Sequence, residues 1–316
     1  MNVLWRLGNT RTMLVGANEG ESMQNTASDT VSSTRLSRRS GLQLGSASIV
    51  ATLAGGASAL AALNPVADAP QVYRKLRYRA GQGVVFWWLE GTKFAQTGAE
   101  VKPIFDMKVG SWMRIADKPD GGYDVTSLEI VFYTEFQTNT LLRQWFNPIT
   151  QQKIDVKYAP VGPTTLRHTP AGEAITPKEL GGAQLNASMK VGPAVIKGED
   201  VWINHDATAA VTSPDGKSPV FRVNDWSMYH GKASDMAEGG PAFAPATCYL
   251  HEITSWARWM GMGEQPGNLT SRAVGRKVET YGEMPAVWRG FTADFYPDIV
   301  KDPIAALDRP TAKFDR

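Results

Sequence analysis

Cysteine is almost missing from this sequence. Cys248 is the single cysteine among 316 residues, so no intramolecular disulfide can form. A zinc site built on several cysteines is excluded for the same reason. We expect the lone thiol to be a small buried hydrophobe, and the fold to depend on a core drawn from the 42% of residues that are hydrophobic.

An excess of charge of either sign is missing as well. The chain carries 33 Lys and Arg residues against 31 Asp and Glu residues. Proteins that bind nucleic acid or anionic lipid through long-range electrostatics present a clear basic excess. The balance therefore predicts that nucleic acid is not a partner of this protein.

The common nucleotide and hydrolase signatures are absent. No Gly-x-Gly-x-x-Gly, P-loop or Gly-x-Ser-x-Gly motif stands where a strand would lead into a helix, and such motifs place a phosphate or a nucleophile at that turn. Nucleotide-dependent enzymes and α/β-hydrolases are thus disfavoured, and we expect no cofactor.

A long, strongly apolar run is missing, but one uncharged run is present. Residues 40–67 contain no charged side chain and are rich in Ala, Gly, Ser and Leu. This composition makes a poor membrane anchor. The run directly follows the pair Arg38 and Arg39 and ends at Ala67-Asp68-Ala69, a pattern typical of a twin-arginine signal peptide.

The leader predicts the domain organisation and the destination of the protein. We expect residues 1–69 to comprise a disordered extension and a signal peptide, and residues 70–316 to form one exported, periplasmic domain without a stable membrane span. The twin-arginine translocase would be a partner during export. Cleavage after Ala69 places Pro70 directly after the scissile bond, and cleavage after Ala59 is the alternative; an uncleaved membrane-anchoring helix remains a second alternative.

Period-two alternation of apolar and polar residues dominates the rest of the chain and is typical of strands. Turn-forming residues separate the alternating segments at 118–122, 147–150 and 213–217. The predicted strands cover residues 84–94, 104–115 with an interruption at Gly110, 123–136, 141–146, 153–158, 201–211, 219–228 and 269–278.

The remaining segments read as loops and one helical region. Residues 159–195 and 232–247 are predicted as loops, with at most a short helix at 177–180, and a helix is predicted to begin near Pro285. Consecutive hairpins without crossover helices favour an antiparallel sheet over a parallel one. The fold class is therefore mainly β: an antiparallel meander closing into a lipocalin-like barrel, with a short C-terminal helical segment.

Several segments together resemble a known protein family. They are residues 87–91, 102–105, 129–133, 141–150, 259–267 and 275–278. In combination, Asn147-Pro148-Ile149-Thr150 and the Met-Gly-x-x-Pro-Gly segment within residues 259–267 resemble the bacterial and fungal family named domain of unknown function 1838. The resemblance runs from about residue 73 to residue 316, with a departure at Gln151, where the family usually carries Gly.

The resemblance implies export with a twin-arginine leader, which is frequent in that family. It implies no known reaction and no catalytic residue. Any site must therefore be argued from the residues themselves.

Nine of the ten tryptophans lie beyond residue 69. In a small barrel such side chains fill the core, or they line a cavity for an apolar ligand. We take Trp87, Trp88, Tyr133 and Trp145 as candidate ligand-binding residues. Trp87 and Trp88 are adjacent in a strand and point to opposite faces, so at most one of them faces the lumen.

Charged residues inside predicted strands are the candidates for a polar end of the site. Arg272 and Arg276 share one strand face and are candidate ligand-binding residues, with Glu90 as a partner if both faces turn inward. Glu90, Glu129 and His251 are candidate catalytic groups, because a buried carboxyl or imidazole can act as an acid or base. The alternative is that Glu90 and Glu129 are solvent-facing or form structural ion pairs.

No metal site is predicted, since no His-x-His or His-Glu-x-x-His spacing is present. Three histidines in successive predicted elements permit an alternative site made of His205, His230 and His251.

Three hypotheses follow for function. The first is an exported barrel that binds an apolar or amphiphilic small molecule in an aromatic-lined cavity. The second is a cofactor-independent isomerase, hydratase or hydrolase acting in the same cavity. The third is a structural or interaction protein with a filled core.

Overall fold

A computed structural model describes residues 64, 68–180, 182–213 and 220–310. The described residues all belong to one compact unit. The predicted leader lies outside them except for residues 64, 68 and 69, and so does the predicted turn at 213–217 except for Ser213. No helix in the described part of the chain is both long and apolar enough to span a membrane.

Strands account for most of the described residues. The first seven are β1 (Gly83–Thr97), β2 (Glu100–Asp117), β3 (Tyr123–Thr134), β4 (Gln144–Asn147), β5 (Gln152–Asp155), β6 (Val161–His168) and β7 (Ala174–Ile175). The other six are β8 (Glu179–Leu180), β9 (Ala183–Lys197), β10 (Asp200–Thr212), β11 (Phe221–Lys232), β12 (Thr247–Thr254) and β13 (Asn268–Val278). The α-helices are α1 (Ala69–Arg77), α2 (Ala233–Met236), α3 (Ala286–Phe295) and α4 (Pro297–Lys301), and 3-10 turns cover Arg258–Met260, Tyr281–Glu283 and Ala305–Asp308.

One antiparallel sheet contains eleven of these strands, in the order β7-β6-β3-β2-β1-β13-β12-β11-β10-β9-β8. The strands β4 and β5 form a separate hairpin. The large sheet curls until it is nearly closed into a barrel. The predicted fold class, mainly β with an antiparallel meander and a C-terminal helical segment, is confirmed.

The sheet is not closed by hydrogen bonds between its two ends in the part of the chain that the structure describes. Strand β6 pairs with β7 only at Arg167 and His168, and β9 pairs with β8 only at Ala183 and Gln184. We call the gap between β6–β7 and β8–β9 the seam. Helix α1 lies beside β9, β10 and β11 at this seam.

Helix α1 was not predicted from the sequence. Its apolar residues recur at helical spacing, and Val72, Tyr73 and Leu76 are fully buried. The nine residues of α1 are too few for a helical periodicity to stand out in the sequence.

The loop predicted over residues 159–195 is wrong: this stretch contains β6 and most of β9. The alternation in β9 is hidden by small and helix-breaking residues, since Leu185, Ala187 and Met189 face inward while Gly192 and Pro193 follow. The residues predicted as a short helix at 177–180 instead include strand β8, and the predicted loop at 232–247 contains helix α2.

The predicted interruption at Gly110 is also wrong, because β2 runs through it. Glycine is required there for packing: a Cβ atom at Gly110 would lie 2.1 Å from the indole ring of Trp288 in α3. Trp288 donates from Nε1 to the Ile130 carbonyl at 3.2 Å. The C-terminal helices therefore cover the outer face of β1, β2 and β3, and Pro285 caps α3 as the residue before its first turn.

Candidate functional site

In each strand, either the odd-numbered or the even-numbered side chains face the inside of the barrel. On β1 the odd residues Val85, Trp87 and Leu89 belong to the main core, whereas Phe86 packs with the C-terminal helices outside. Side chains alternate along a strand, so one buried position fixes the direction of the others. Residues that pair across neighbouring strands point to the same side of the sheet, so the pairing register identifies the inward residues of the other strands.

Four inward aromatic side chains meet at one end of the barrel; we call Phe105, Tyr133, Trp145 and Trp259 the aromatic cluster. The Phe105 ring lies 4.7 Å from Tyr133 and 5.7 Å from Trp145, centroid to centroid. The Trp259 ring lies 5.5 to 5.8 Å from the other three. These are contact distances for aromatic pairs, so the four rings fill this end by packing on one another.

The β4–β5 hairpin holds this end shut through the side chain of Asn147. Its Oδ1 accepts from the backbone N–H of Ile149 at 2.9 Å, which fixes the turn. Its Nδ2 donates to the Met260 carbonyl at 2.9 Å. The two segments that carry the family resemblance, 147–150 and 259–267, are thereby joined directly although they lie more than 100 residues apart.

One row of inward residues crosses the barrel from the seam to the aromatic cluster. In register order across neighbouring strands it runs Met189, Ala207, Asp225, Glu252, Ser271, Lys93, Phe105. We call Asp225, Glu252, Ser271 and Lys93, together with Ser227, the polar layer. All five side chains are buried, which is unusual for ionisable groups unless they are paired.

Lys93 and Glu252 form an ion pair inside the barrel. The Lys93 Nζ lies 3.0 Å from Glu252 Oε1, and it also contacts Ser271 Oγ. Ser271 Oγ in turn donates to Glu252 Oε1 at 3.0 Å. Because breaking such a pair leaves an uncompensated buried charge, these residues hold each other in one geometry.

Asp225 differs from its neighbours in having an unused oxygen. Ser227 Oγ donates to Asp225 Oδ1 at 2.6 Å, whereas Oδ2 is buried and has no hydrogen-bond partner among the described residues. Burial raises the pKa of Asp225 to about 6, partly offset by the Ser227 hydrogen bond. The carboxyl group thus titrates close to neutral pH.

A second polar group surrounds Arg77 at the end of α1. Its Nη1 donates to the Tyr229 hydroxyl at 2.8 Å and to His205 Nδ1 at 3.2 Å. Tyr73 stacks on the His205 ring at 5.6 Å. Burial, followed by the nearby Arg77 charge, holds the pKa of His205 well below its usual value, so this imidazole is neutral.

The seam opens to solvent as a cleft of about 800 Å³. Its walls are residues 171–174, Thr176 and residues 187–193, with Ala69 and Pro70 of α1. Two wall residues reach the interior: Met189 Sδ accepts from the Tyr73 hydroxyl at 3.9 Å, and Val191 is the register neighbour of His205. A second cleft of about 750 Å³ lies around Arg74 and Lys75 of α1 and Tyr123.

The structure turns some of the predicted site residues inward. Trp87, Tyr133 and Trp145 face the core and are buried. Glu129 is also inward and buried, next to Ser111 and Val161 in the register. Trp87 donates from Nε1 to the Arg77 carbonyl at 2.8 Å and so belongs to the surroundings of the Arg77 group.

The other predicted ligand-binding residues lie on the outer face. Trp88 pairs with Arg276, and Thr92 pairs with Arg272; Glu90 lies 3.3 Å from Lys108 in a half-exposed ion pair. Trp88 and Glu90 share one strand face and Arg272 and Arg276 share another, and both faces point away from the interior. These residues therefore do not form the predicted polar end inside the barrel, in which a carboxylate would meet two guanidinium groups.

The structure does not bring the three histidines of the alternative metal site together. His205 is inward, whereas His230 and His251 lie on the outer face beside Trp202 and Trp226. His230 instead contacts Asp200 at 2.9 Å. Within the described ranges, no group of three or more His, Cys, Asp and Glu side chains is arranged to hold a metal ion.

Sequence reasoning missed Arg77, Lys93, Asp225 and Glu252. Each is a charged residue at an inward position of an element whose neighbours are apolar or small. The signal was present for Asp225, because it takes the inward position between Val223 and Ser227 on β11. The sequence alone does not show which alternate residues of β11 face inward, because that depends on the pairing register of the strand.

The fold is that of a nearly closed antiparallel barrel with a buried polar layer and a cleft at its seam. Residues 81–170 match the family described as "Protein of unknown function (DUF1838)", which confirms the family resemblance over this part of the chain. The matched range covers β1 to β6 and includes the Asn147 turn. No curated protein matches the chain.

Proposed function

We propose that this protein binds a small apolar or amphiphilic molecule, which enters at the seam cleft. The observation that carries the proposal is the position of the cleft: its walls include Met189 and Val191, which are also the first inward residues before the Arg77 group and the polar layer. A cleft of about 800 Å³ is within the usual size range of small-molecule sites.

The chemistry of the cleft fits an amphiphile. Most of its wall is apolar or small, including Ala174, Ala187 and Pro193. Behind this wall stand buried polar groups, of which Asp225 keeps one oxygen without a partner among the described residues. A ligand with an apolar body and one polar group would match both parts, since buried polar groups need partners.

The first test fills the cleft with a large side chain. Ala174→Trp places an indole in the cleft wall, and Ala210→Trp is the matched control on the outer face of β10. We expect the wild type and Ala210→Trp to bind the uncharged dye Nile red with a rise in its fluorescence, and Ala174→Trp to bind it at least tenfold more weakly.

Thermal melting of each variant shows that the chain is still folded. Equal dye binding by Ala174→Trp and the wild type, with unchanged melting, would exclude the seam cleft as the binding site. Native mass spectrometry of the wild type is the complementary measurement, because a co-purified molecule appears as a defined added mass.

An enzyme acting in the same interior is the second candidate. It is favoured by the pKa of about 6 at Asp225, because a carboxyl group that titrates near neutral pH can accept and return a proton. Glu129, the inward residue among the predicted acids and bases, is the other candidate. The test is chemical: a molecule recovered from Asp225→Asn protein should differ by a reaction from the one recovered from the wild type. Identical molecules would favour binding alone.

We further propose that the chain is exported to the periplasm by the twin-arginine translocase. The motif around Arg38 and Arg39 supports the route. The folded part supports cleavage after Ala59 over cleavage after Ala69, because Ala69 is buried in the first turn of α1 and the Asp68 carbonyl accepts from the Val72 N–H at 2.9 Å. A peptidase needs an accessible, extended bond.

Replacing Arg38 and Arg39 together with Lys tests the export proposal. Precursor should accumulate in the cytoplasm, and the periplasmic form should disappear. The N-terminal residue of the periplasmic wild-type protein, read by mass spectrometry, distinguishes Leu60 from Pro70. Normal periplasmic protein from the double variant would contradict the proposed route.

A further inference from the structure

Along the strand register, one residue separates the wall of the seam cleft from Asp225. Met189 in the cleft wall and Asp225 in the polar layer are both register neighbours of Ala207. Adjacent strands lie about 5 Å apart, so Met189 and Asp225 belong to strands about 10 Å apart. Because Ala207 projects only a methyl group between them, an elongated molecule in the cleft has a short way to the polar layer.

Asp225 offers a hydrogen-bond acceptor along this way. Its Oδ1 is used by Ser227 at 2.6 Å, and its Oδ2 is buried with no partner among the described residues. Thr254, one layer further along the strands, likewise has a buried Oγ1 without a partner in the described chain. A buried acceptor left unpaired is costly, so this position favours a ligand that brings a donor.

Burial disfavours added charge in the interior around this position. Among the described residues, six charged side chains are both inward and at least nine-tenths buried: Arg77, Lys93, Lys277, Glu129, Asp225 and Glu252. Three are basic and three are acidic; burial holds the pKa of Lys277 well below its usual value and raises the pKa of Asp225 to about 6. The other strongly buried charged residue, Lys108, faces outward and pairs with Glu90.

An interior of this kind selects against a charged ligand. A carboxylate or ammonium group would have to lose its hydration in the same surroundings, where Lys93 is already paired with Glu252, and a buried charge is far less favourable than an uncharged polar group. A hydroxyl or amide N–H meets the need of Asp225 without adding a charge.

We propose that the ligand is an uncharged amphiphile whose hydroxyl or N–H group donates a hydrogen bond to Asp225 Oδ2, with its apolar part in the seam cleft. This inference rests on the proposed binding function and names the class of molecule bound at that site. It separates the site from those that hold fatty acids or lipid amines.

The test uses three probes that differ only in the polar end: 1-dodecanol, dodecanoate and dodecylammonium. Each probe is used to displace Nile red from the purified full chain at neutral pH, with dodecanol kept within its aqueous solubility and the two ionic probes below their critical micelle concentrations. We expect dodecanol to displace the dye at a concentration at least tenfold below that required by either charged probe.

Two variants assign the preference to Asp225. Asp225→Asn replaces one oxygen by an amide N–H and should weaken dodecanol displacement about tenfold, because a hydrogen bond to a charged group is lost, while Nile red itself binds as before. Asp206→Asn makes the same change on the outer face of the neighbouring strand and should match the wild type.

The outcomes separate the two proposals. Stronger displacement by dodecanoate or dodecylammonium would overturn the uncharged class while leaving the binding function in place. Dodecanol binding that is equal in Asp225→Asn and the wild type would overturn the role of Asp225. If Nile red shows no binding to the wild type at all, the proposed function itself fails.

Discussion

Lys93 and Glu252 form an ion pair that has almost no access to water: the Lys93 side chain is fully buried and the Glu252 side chain is 7% exposed. The net contribution of the pair to folding stability is limited, since desolvation of both ions offsets much of their attraction. What the pair does is hold β1, β13 and β12 in one register at the level of Asp225.

Lys93→Met removes the cation and leaves the Glu252 carboxylate buried without its ion partner. We expect a loss of about 3–5 kcal/mol in the free energy of unfolding, measured by urea denaturation. Lys102→Met is the matched control, because Lys102 pairs with Glu100 at 2.8 Å in an ion pair whose two side chains are 69% and 58% exposed. The control should change stability by less than about 0.5 kcal/mol; equal effects in the two variants would show that water reaches Lys93.

Asp225 lowers stability at neutral pH, and the sign follows from its pKa. Burial raises that pKa from 3.8 to about 6, so the folded protein holds the proton more tightly than the unfolded chain. The stabilising contribution of the protonated carboxyl is complete below about pH 4 and is lost as the pH rises through about 6. The cost at pH 7 is on the order of 3 kcal/mol.

Asp225→Asn removes this titration. Relative to the wild type, its free energy of unfolding should increase between pH 4 and pH 7, and Asp206→Asn should show no such trend. If the free energy of unfolding of Asp225→Asn differs from that of the wild type by the same amount at every pH, the pKa of Asp225 is not raised in the folded protein. A more stable variant that binds dodecanol less well is the pattern expected when a binding residue is retained at a cost in stability.

At the scale of elements, the C-terminal helices depend on one glycine in β2. Trp288 of α3 packs directly over Gly110, and its ring also meets Trp112 and Phe132 at 6.4 Å. The sequence predicted both the strand and the helix, but the reason for the glycine appears only when the two are packed together.

Gly110→Ala should lower the free energy of unfolding by about 1–3 kcal/mol, because its methyl group overlaps the Trp288 ring and the packing cannot absorb it. Gly290→Ala is the contrasting change: it lies in α3, with no heavy atom within 4 Å of the added Cβ. That variant should gain about 0.5–1 kcal/mol from helix propensity. The same direction of change in both would contradict this packing.

At the scale of the whole molecule, α1 packs against the barrel beside the seam. Tyr73 and Leu76 are fully buried, and Arg77 joins α1 to β10 and β11 through His205 and Tyr229. The sheet ends do not pair with each other in the described chain, and α1 packs against β9, β10 and β11 beside them.

Leu76→Ala tests whether α1 is part of the folded unit. We expect a loss of about 2–5 kcal/mol in the free energy of unfolding, together with weaker Nile red binding, because α1 forms one wall of the seam cleft. Gln71→Ala, on the exposed side of the same helix, should have little effect on either measurement. If Leu76→Ala melts like the wild type, α1 only rests on a barrel that is stable without it.

Much of the fold followed from the sequence alone. Alternation in residues 84–94, 123–136 and 269–278 predicted β1, β3 and β13, and turn residues such as Asn147-Pro148-Ile149-Thr150 predicted the hairpins. These features are local, and each strand or turn carries its own signal. The balance of charge and the single cysteine were likewise properties of composition.

The site depended on the tertiary structure. Alternation says that Trp88, Glu90, Arg272 and Arg276 share faces, but it does not say which face of the sheet turns inward, because that depends on how the sheet curls and on the outer cover supplied by α3 and α4. The same decision placed Lys93, Asp225 and Glu252 inside. Asp225 meets Glu252 and Ala207 only through strand register, which brings together residues that are distant along the chain.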